Sequence, residues 1–432
     1  MRILYNLPHL NDWLDDERAG HLVRANEMLA GFEANGCTIV HAKPRRRPGS
    51  TSTQVASPAS TAVGGAHAQS SPDRSVRAMV HRHLPRRLAL VVRDSARYAH
   101  HLMRCRSLMA TVRRERPDAI FETYEVSSFA SAVAARRTGV PLIIDDLCPL
   151  EEHWDLYGTG SKWVSRRLRR FVLDSASLLV AVNAANAAAL RRDGVPDSKI
   201  VEVPNGVRAD AVGVADAATL ERARAIRERL DVGDATLALY VGSFQPFHRV
   251  DVLIDAMADP ALHDVPLVAV LVGDGDGIEE IRERSRQRGV GDRIRWVGRV
   301  PHGHVASYVA AADLGVVAGA TENVNPMKIY EYLAGGLPVV APDIAMVTAL
   351  LAPGADPERR AGVVFRRDDA HAMAEALATV AGDGDLRAAL AAAARATNPA
   401  TWPERAKTLE ERIRSLTAVA APDPVPSSGP RS

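Results

Sequence analysis

Short apolar runs alternate with longer stretches of helical period through most of the chain. Residues 2–7, 38–42, 119–122, 142–145, 178–182 and 200–203 read as strands, with helices at 20–35, 129–137 and 184–192 between them. The turn at 204–207, Pro-Asn-Gly-Val, closes this series, and a second opens with apolar runs at 237–241, 267–272, 293–297, 314–317 and 338–340. Runs without polar alternation suit strands covered on both faces, and their alternation with helices predicts parallel sheets wrapped by helices. The expectation is an α/β protein of two doubly wound, Rossmann-like domains facing across a cleft, with ligands beyond the carboxyl ends of the strands.

Two regions depart from this pattern. Residues 45–73 are rich in Ser, Thr, Ala, Gly and Pro and lack the apolar content to pack, which predicts a flexible insertion; residues 419–432 read as a disordered tail. Between them the domains are expected at 1–205 and 206–400, followed by a helix at 401–418. A chain of 432 residues is long enough for two separate cores. Its 54 Lys and Arg against 52 Asp and Glu give a net charge of +2, which argues against a polyanionic partner over the whole surface, and no nucleic-acid motif is present. Cys37, Cys105 and Cys148 have no metal-ligand spacing and cannot all pair, and neither a signal peptide nor a bilayer-length apolar run is evident. A cytoplasmic protein is expected, with peripheral membrane attachment left open.

Charge becomes informative locally. In Thr-Glu-Asn-Val-Asn-Pro-Met-Lys-Ile-Tyr-Glu-Tyr-Leu-Ala-Gly-Gly-Leu-Pro-Val-Val-Ala, residues 321–341, a polar loop leads into a helix at 327–334 and then a buried strand. A helix N-terminus offers unpaired N–H groups and partial positive charge, to which Lys328 adds a full charge in the first turn. Glu331 lies three residues further on, near the same face. One element would thus present a cation for phosphate and a carboxylate for ribose hydroxyls, although a solvated amphipathic helix fits the same residues.

With the rest of the chain considered, this segment resembles the retaining glycosyltransferases of family four, which use nucleotide sugars and have the GT-B fold. Glu331 matches the second of that family's two glutamates, the ribose ligand, while Asn323 stands where the first would be, beside Glu322. The form Asn-Pro-x-Lys-x-x-Glu-Tyr resembles a subgroup in which the lysine replaces other donor contacts. The resemblance extends to Tyr-Val-Gly-Ser-Phe-Gln-Pro-Phe-His-Arg at 240–249, where the family's phosphate-binding Arg and Lys correspond to Ser243, after Gly242, and His248. It implies that His248 as imidazolium, or Arg249 as a permanent cation, holds the donor pyrophosphate with Lys328. Gly20 and His21 correspond to a glycine-rich approach to the donor phosphate, and the Gly-Asp-Gly turn within 271–277 is a further, less specific match.

The resemblance implies transfer of a sugar from a nucleoside diphosphate, UDP first, to a hydroxyl acceptor with retention, needing neither metal nor cofactor. Asp145 and Asp146, near Glu151 and His153, would orient the acceptor hydroxyl or stabilise positive charge on the sugar; capping of the following turn is the alternative. Nucleotide-sugar epimerisation, or binding without catalysis, are the competing functions. Residues 74–116 are strongly basic, and a helix there suits an anionic membrane or lipid-linked acceptor, or else packs an apolar face on the sheet with its arginines solvated.

Overall fold

The structure, a computed structural model, describes residues 1–7, 20–42, 85–208, 216–275, 277–353 and 359–419. The expected insertion and nearly all of the tail lie outside the described residues, as do Arg74, Arg77 and Arg82 of the basic segment.

Twelve described strands form two six-stranded sheets. The first contains β1 (Arg2–Asn6), β2 (Thr38–His41), β3 (Ala119–Thr123), β4 (Leu142–Asp146), β5 (Leu178–Ala181) and β6 (Ile200–Glu202) in the order β2-β1-β3-β4-β5-β6. The second contains β7 (Thr236–Val241), β8 (Leu267–Val272), β9 (Ile294–Gly298), β10 (Leu314–Val316), β11 (Val339–Pro342) and β12 (Gly362–Phe365) in the order β12-β11-β10-β7-β8-β9. Pairing is parallel wherever register is defined, for example Ile3 opposite Ala119 and Leu239 opposite Val270. β3, β4, β5 and β8 are buried at every residue, which is why they read as unbroken apolar runs. The doubly wound α/β architecture expected from the alternation is therefore present.

Fifteen described α-helices accompany the strands. The first sheet has α1 (Gly20–Ala34), α2 (Arg86–Glu115), α3 (Ala130–Thr138), α4 (Leu150–Tyr157), α5 (Lys162–Ser175) and α6 (Ala184–Arg192). The second has α7 (Ala217–Arg229), α8 (Val250–Met257), α9 (Ile278–Gln287), α10 (Val305–Ala311), α11 (Met327–Ala334), α12 (Ala345–Leu351), α13 (Ala370–Gly382) and α14 (Gly384–Thr397), and α15 (Trp402–Val419) follows them in the chain. By contact density the chain divides into one unit of residues 1–12, 39–144 and 150–177 and another of 13–38, 145–149 and 178–432. Within the second unit α15 lies against α1: a Cβ on Gly31 would come 2.6 Å from the Trp402 carbonyl oxygen, so only glycine permits this approach. None of the described helices is long and apolar enough to cross a membrane.

The strand order of the second sheet positions its chemistry. From β7 the chain builds outward through β8 and β9, then returns to place β10 on the other side of β7. Loops leaving β7 and β10 therefore diverge, and the gap beyond their carboxyl ends is where such sheets take ligands. The 240–249 turn and the 317–326 loop are those two loops. β12 escaped the sequence reading because four residues between arginine pairs at 359–360 and 366–367 carry little periodic signal.

Candidate functional site

The loop before α11 is held by asparagines. Asn325 Nδ2 donates to the Val182 carbonyl (2.7 Å), the Asn325 carbonyl accepts from Asn205 Nδ2 (2.7 Å), and the Asn323 carbonyl accepts from Asn183 Nδ2 (3.0 Å). These bonds tie the loop to the chain just beyond β5 and β6, the Asn-Gly turn of residues 205–206 included. α11 itself is fixed on β7 by Tyr332, whose hydroxyl donates to the Leu239 carbonyl (3.1 Å) and accepts from the Val241 N–H (2.9 Å). Its ring fills the space where a Cβ on Gly315 would stand, 2.3 Å away.

So oriented, α11 directs Lys328 inward. Lys328 is only 7 % exposed, and its Nζ has no hydrogen-bond partner among the described residues. The ammonium lies over the Tyr240 ring, 4.1 Å from its centroid, a cation–π contact that offsets part of the lost hydration. Burial lowers its pKa from 10.5 to about 7, against the opposing pull of Glu331. A buried amine without a hydrogen-bond partner carries an uncompensated desolvation cost, which is what lowers its pKa.

Glycines form the wall beside it. Gly242 has φ +150°, and a Cβ there would come 2.8 Å from Lys328 Nζ. Gly273, at φ +144°, approaches so closely that its Cβ would meet the Gly242 carbonyl oxygen at 1.8 Å. Gly242 N–H donates to the Val272 carbonyl (3.0 Å), and the Ser243 carbonyl accepts from the Tyr240 hydroxyl (2.7 Å). The Gly-Asp-Gly turn, weakly specific as a sequence, is thus required by the packing of two strand-end loops.

The expected second cation does not take the form assigned to it. Burial and then the neighbouring Lys328 push the His248 pKa down to about 2, so the imidazole is neutral and not an imidazolium. Nor does Arg249 supply free charge: its Nε donates to Asp251 Oδ1 (3.1 Å), and its Nη1 is paired with Asp368. His248 is left as a neutral hydrogen-bonding group beside the lysine.

Glu331, one turn beyond Lys328, is 17 % exposed and has its Oε1 3.4 Å from His302 Nε2. Burial raises its pKa, while His302 and Lys328 favour the carboxylate. Its nearby Glu27 is paired with Arg208 (3.3 Å). Glu322, neighbour of the missing family glutamate, instead pairs with Arg367 (2.8 Å).

Asp145 also departs from expectation. It receives both Nε (3.0 Å) and Nη2 (2.9 Å) of Arg24, whose Nη1 donates to Asn205 Oδ1 (2.7 Å) and whose Nη2 also reaches the Val203 carbonyl (3.0 Å). Arg24 and Asp145 are both buried. The carboxylate that was to orient an acceptor is therefore occupied in holding Asn205, and through it Asn325, in place. Asp146 is buried as well. Glu151 pairs with Arg166 (3.7 Å) and His153 stacks near Tyr157. α1 begins at Gly20, and the side chain of His21 lies outside what the structure describes.

Sequence pattern did not mark Arg24, Asn183 or His302, and it gave Asn205 a place in the 204–207 turn and Asn325 and Tyr332 places in the Asn-Pro-x-Lys-x-x-Glu-Tyr form without a contact for any of them. Arg24 had a visible signal, a lone cation among Leu22, Ala25, Met28 and Leu29 on the buried side of α1. The asparagine contacts had none, because their partners are remote backbone carbonyls. No cluster of three or more metal-binding side chains occurs among the described residues. What the arrangement brings together is a buried amine, close glycine backbone and a neutral imidazole, with a carboxylate one helical turn away.

This chain matches two family models, "Glycosyl transferase 4-like domain" over residues 19–206 and "Glycosyl transferases group 1" over residues 222–397. It is similar to D-inositol 3-phosphate glycosyltransferase 2 of Catenulispora acidiphila, with 30 % identity over 251 residues, 55 % of this chain and 57 % of that protein. It is 25 % identical to alpha-D-kanosaminyltransferase of Streptomyces kanamyceticus over 231 residues, 54 % of this chain and 57 % of that one. The chain thus spans somewhat under three-fifths of the length of these two relatives. Among solved structures, sucrose-phosphate synthase from Thermosynechococcus elongatus superimposes with a TM-score of 0.70 at 17 % identity, covering 97 % of this chain and 100 % of that one. Anabaena HepE in complex with UDP superimposes with a TM-score of 0.67 at 17 % identity, covering 96 % and 100 %. These likenesses extend to the fold.

Proposed function

The chain belongs to the glycosyltransferases, with a 4-like domain at residues 19–206 and a group 1 domain at 222–397, and from this premise we propose that it transfers a sugar from a nucleoside-diphosphate donor to a hydroxyl acceptor with retention of configuration. The observation that carries the reading is the buried, unpartnered Lys328 ammonium facing the Gly242 turn, one helical turn from Glu331. A diphosphate oxygen satisfies the lysine, and the ribose hydroxyls donate to Glu331. His248, neutral and with its one ring N–H given to the Gly319 backbone, lines the pocket wall beside the lysine and is not a donor to the phosphate. As the glycosidic bond to the leaving phosphate breaks, negative charge grows on that oxygen, and a preorganised dry cation stabilises the charge more than it stabilises the ground state. The departing phosphate takes the acceptor proton, so no side-chain nucleophile is called on. Arg24 and Asp145 position Asn205 and the donor loop.

UDP is the donor nucleotide favoured, residues 1–205 the acceptor-binding part, 206–400 the donor-binding part, and the cytoplasmic side of the membrane the place of action. The family's Arg-and-Lys phosphate pair is replaced in this reading by Lys328, in the Asn-Pro-x-Lys-x-x-Glu-Tyr arrangement. The test is a thermal-shift screen of UDP, GDP, ADP and dTDP, followed by labelled sugar donors with and without candidate acceptors. A bound nucleotide raises the midpoint. Transfer product supports the proposal; epimerised sugar, or binding without turnover, assigns one of the two competing functions.

A further inference from the structure

Eight large hydrophobic side chains are exposed among the described residues, and seven of them fall on three neighbouring helices of one unit. Five line the outer face of α2: Leu88, Val91, Val92, Leu102 and Met103, the last 72 % exposed. The other two are Tyr157, ending α4, and Trp163, at the start of α5 and also 72 % exposed. The inner face of α2 is mixed, burying Asp94, His101 and Arg104 together with Ala89, Cys105, Leu108 and Val112, so much of its apolar content is left outside. Arg104 is accommodated there by the Leu7 (2.6 Å) and Ala42 (3.1 Å) carbonyls and by Asn6 Oδ1 (2.5 Å). Of the two readings of the basic segment, packing with solvated arginines holds at Leu108, Val112, Arg113 and Arg114, while Leu88, Val91, Val92, Leu102 and Met103 face outward and Arg104 inward.

The α4–α5 turn meets the start of this stripe, and the small exposed residues Ser95, Ala96 and Ala99 lie between it and Leu102 and Met103. The turn between α4 and α5 lies on α2, with Arg93 donating to the Tyr157 and Gly158 carbonyls (2.9 Å each) and Asp94 accepting from Gly160 N–H (2.7 Å). A Cβ on Gly160 would come 2.6 Å from the Val91 Cα, which brings the start of α5 beside the apolar stripe. From Leu88 to Met103 the stripe is about 22 Å long at 1.5 Å per residue.

We propose that this face lies on an anionic phospholipid surface. Charge decides between occupants. The exposed positions of α2 include Arg87, Arg106, Arg113 and Arg114 and no carboxylate, Asp94 being buried and Glu115 half-buried in an ion pair with Arg2. On α5 Trp163, Arg166, Arg167, Arg170 and Asp174 form one exposed stripe at helical spacing, in which Arg170 pairs with Asp174 (3.1 Å) and Arg166 with Glu151 of α4 (3.7 Å); the exposed positions of α2, α4 and α5 together carry eight Lys and Arg against the three carboxylates of Glu151, Asp155 and Asp174. A second copy would set arginine against arginine. Residues 43–84, which precede α2, carry seven Lys and Arg against one Asp and would meet the same repulsion. Aliphatic side chains to enter the acyl boundary, an exposed Trp at the edge, and arginines whose stems reach back to phosphate are the composition of an interfacial helix. Such placement brings a lipid-borne acceptor to the enzyme, but the lipid contact itself does not depend on the donor chemistry.

The experiment is sedimentation of the full chain with vesicles of pure phosphatidylcholine and of phosphatidylcholine containing phosphatidylglycerol, at low and high salt, without substrates. The parent should bind the anionic vesicles, more strongly at low salt, and the neutral ones at least tenfold less. Leu102→Ser/Met103→Ser, and separately Trp163→Ser, should each reduce partitioning about tenfold or more with unchanged melting and unchanged UDP stabilisation. Arg166→Gln/Arg167→Gln should weaken binding and flatten its salt dependence. Absence of parent binding at low salt, equal binding to neutral vesicles, or full binding by the serine variants overturns the proposal. A dimer that Leu102→Ser/Met103→Ser dissociates overturns it too, in favour of a second copy.

Discussion

Replacing Lys328 by methionine keeps the length of the side chain and removes its charge, so the variant isolates what a buried ammonium costs this fold. The folded amine has a pKa of about 7 against 10.5 for the ordinary group. Between those values the folded chain binds fewer protons than the unfolded one, so stability rises with pH across the window and is lowest below pH 7. At pH 7 the penalty is about 4 kcal/mol at 1.36 kcal/mol per unit, and it falls to about 1 kcal/mol at pH 10. Lys328→Met should therefore be the more stable protein at neutral pH, with a melting midpoint roughly 10 °C higher if the second sheet domain melts as a unit. The advantage should shrink steadily toward pH 10. Turnover should meanwhile drop about a hundredfold or more, the effect of deleting a preorganised contact to developing charge. Melting curves of parent and variant from pH 6 to 10 read the first effect, and single-turnover transfer reads the second. Equal midpoints at pH 7, or a difference that does not decline with pH, would refute the claim that Lys328 is buried without a partner.

If the donor diphosphate binds only the protonated amine, its dissociation constant should rise about tenfold per pH unit above pH 7 in titration calorimetry, and a flat profile would remove Lys328 from the contact. His248→Ala should lower activity by the same factor at every pH from 5 to 8, since an imidazole with a pKa of about 2 does not titrate there; a pH-dependent loss would restore the imidazolium. Asp145→Asn leaves Arg24 buried without its carboxylate and should cost about 3–5 kcal/mol in urea denaturation, whereas Arg24→Leu/Asp145→Leu should be milder. Gly273→Ala should abolish nucleotide stabilisation, because its methyl would overlap the Gly242 carbonyl at 1.8 Å; retained stabilisation would count against the two-loop wall.

Hydrophobic periodicity by itself determined the architecture. Strands such as β3, β4 and β8 are buried on both faces, so their apolar runs declare them without reference to any neighbour. Lys328 and Glu331 were legible for a similar reason: three residues apart at the start of a helix, they share a face whatever the helix packs against. Even the glycines of 242 and 273 left a trace, since turns that need left-handed backbone select glycine.

Only the tertiary structure decided which charges are available. Arg249 and Lys328 are both cations in the sequence, yet Asp251 and Asp368 meet the first while burial against Tyr240 leaves the second unpaired. Asp145 looked free until α1 brought Arg24 to it across 121 positions of sequence. The charge state of His248 depends on desolvation and on Lys328, 80 residues away, neither of which local sequence contains. Likewise Arg104 and Leu102, two positions apart on α2, exchange the places their chemistry suggests because three oxygen acceptors, from Asn6, Leu7 and Ala42, await the guanidinium inside. Local patterns fix which elements form, since propensity and burial act on neighbours. Pairing and desolvation are properties of distant residues meeting, and they set the chemistry of the site.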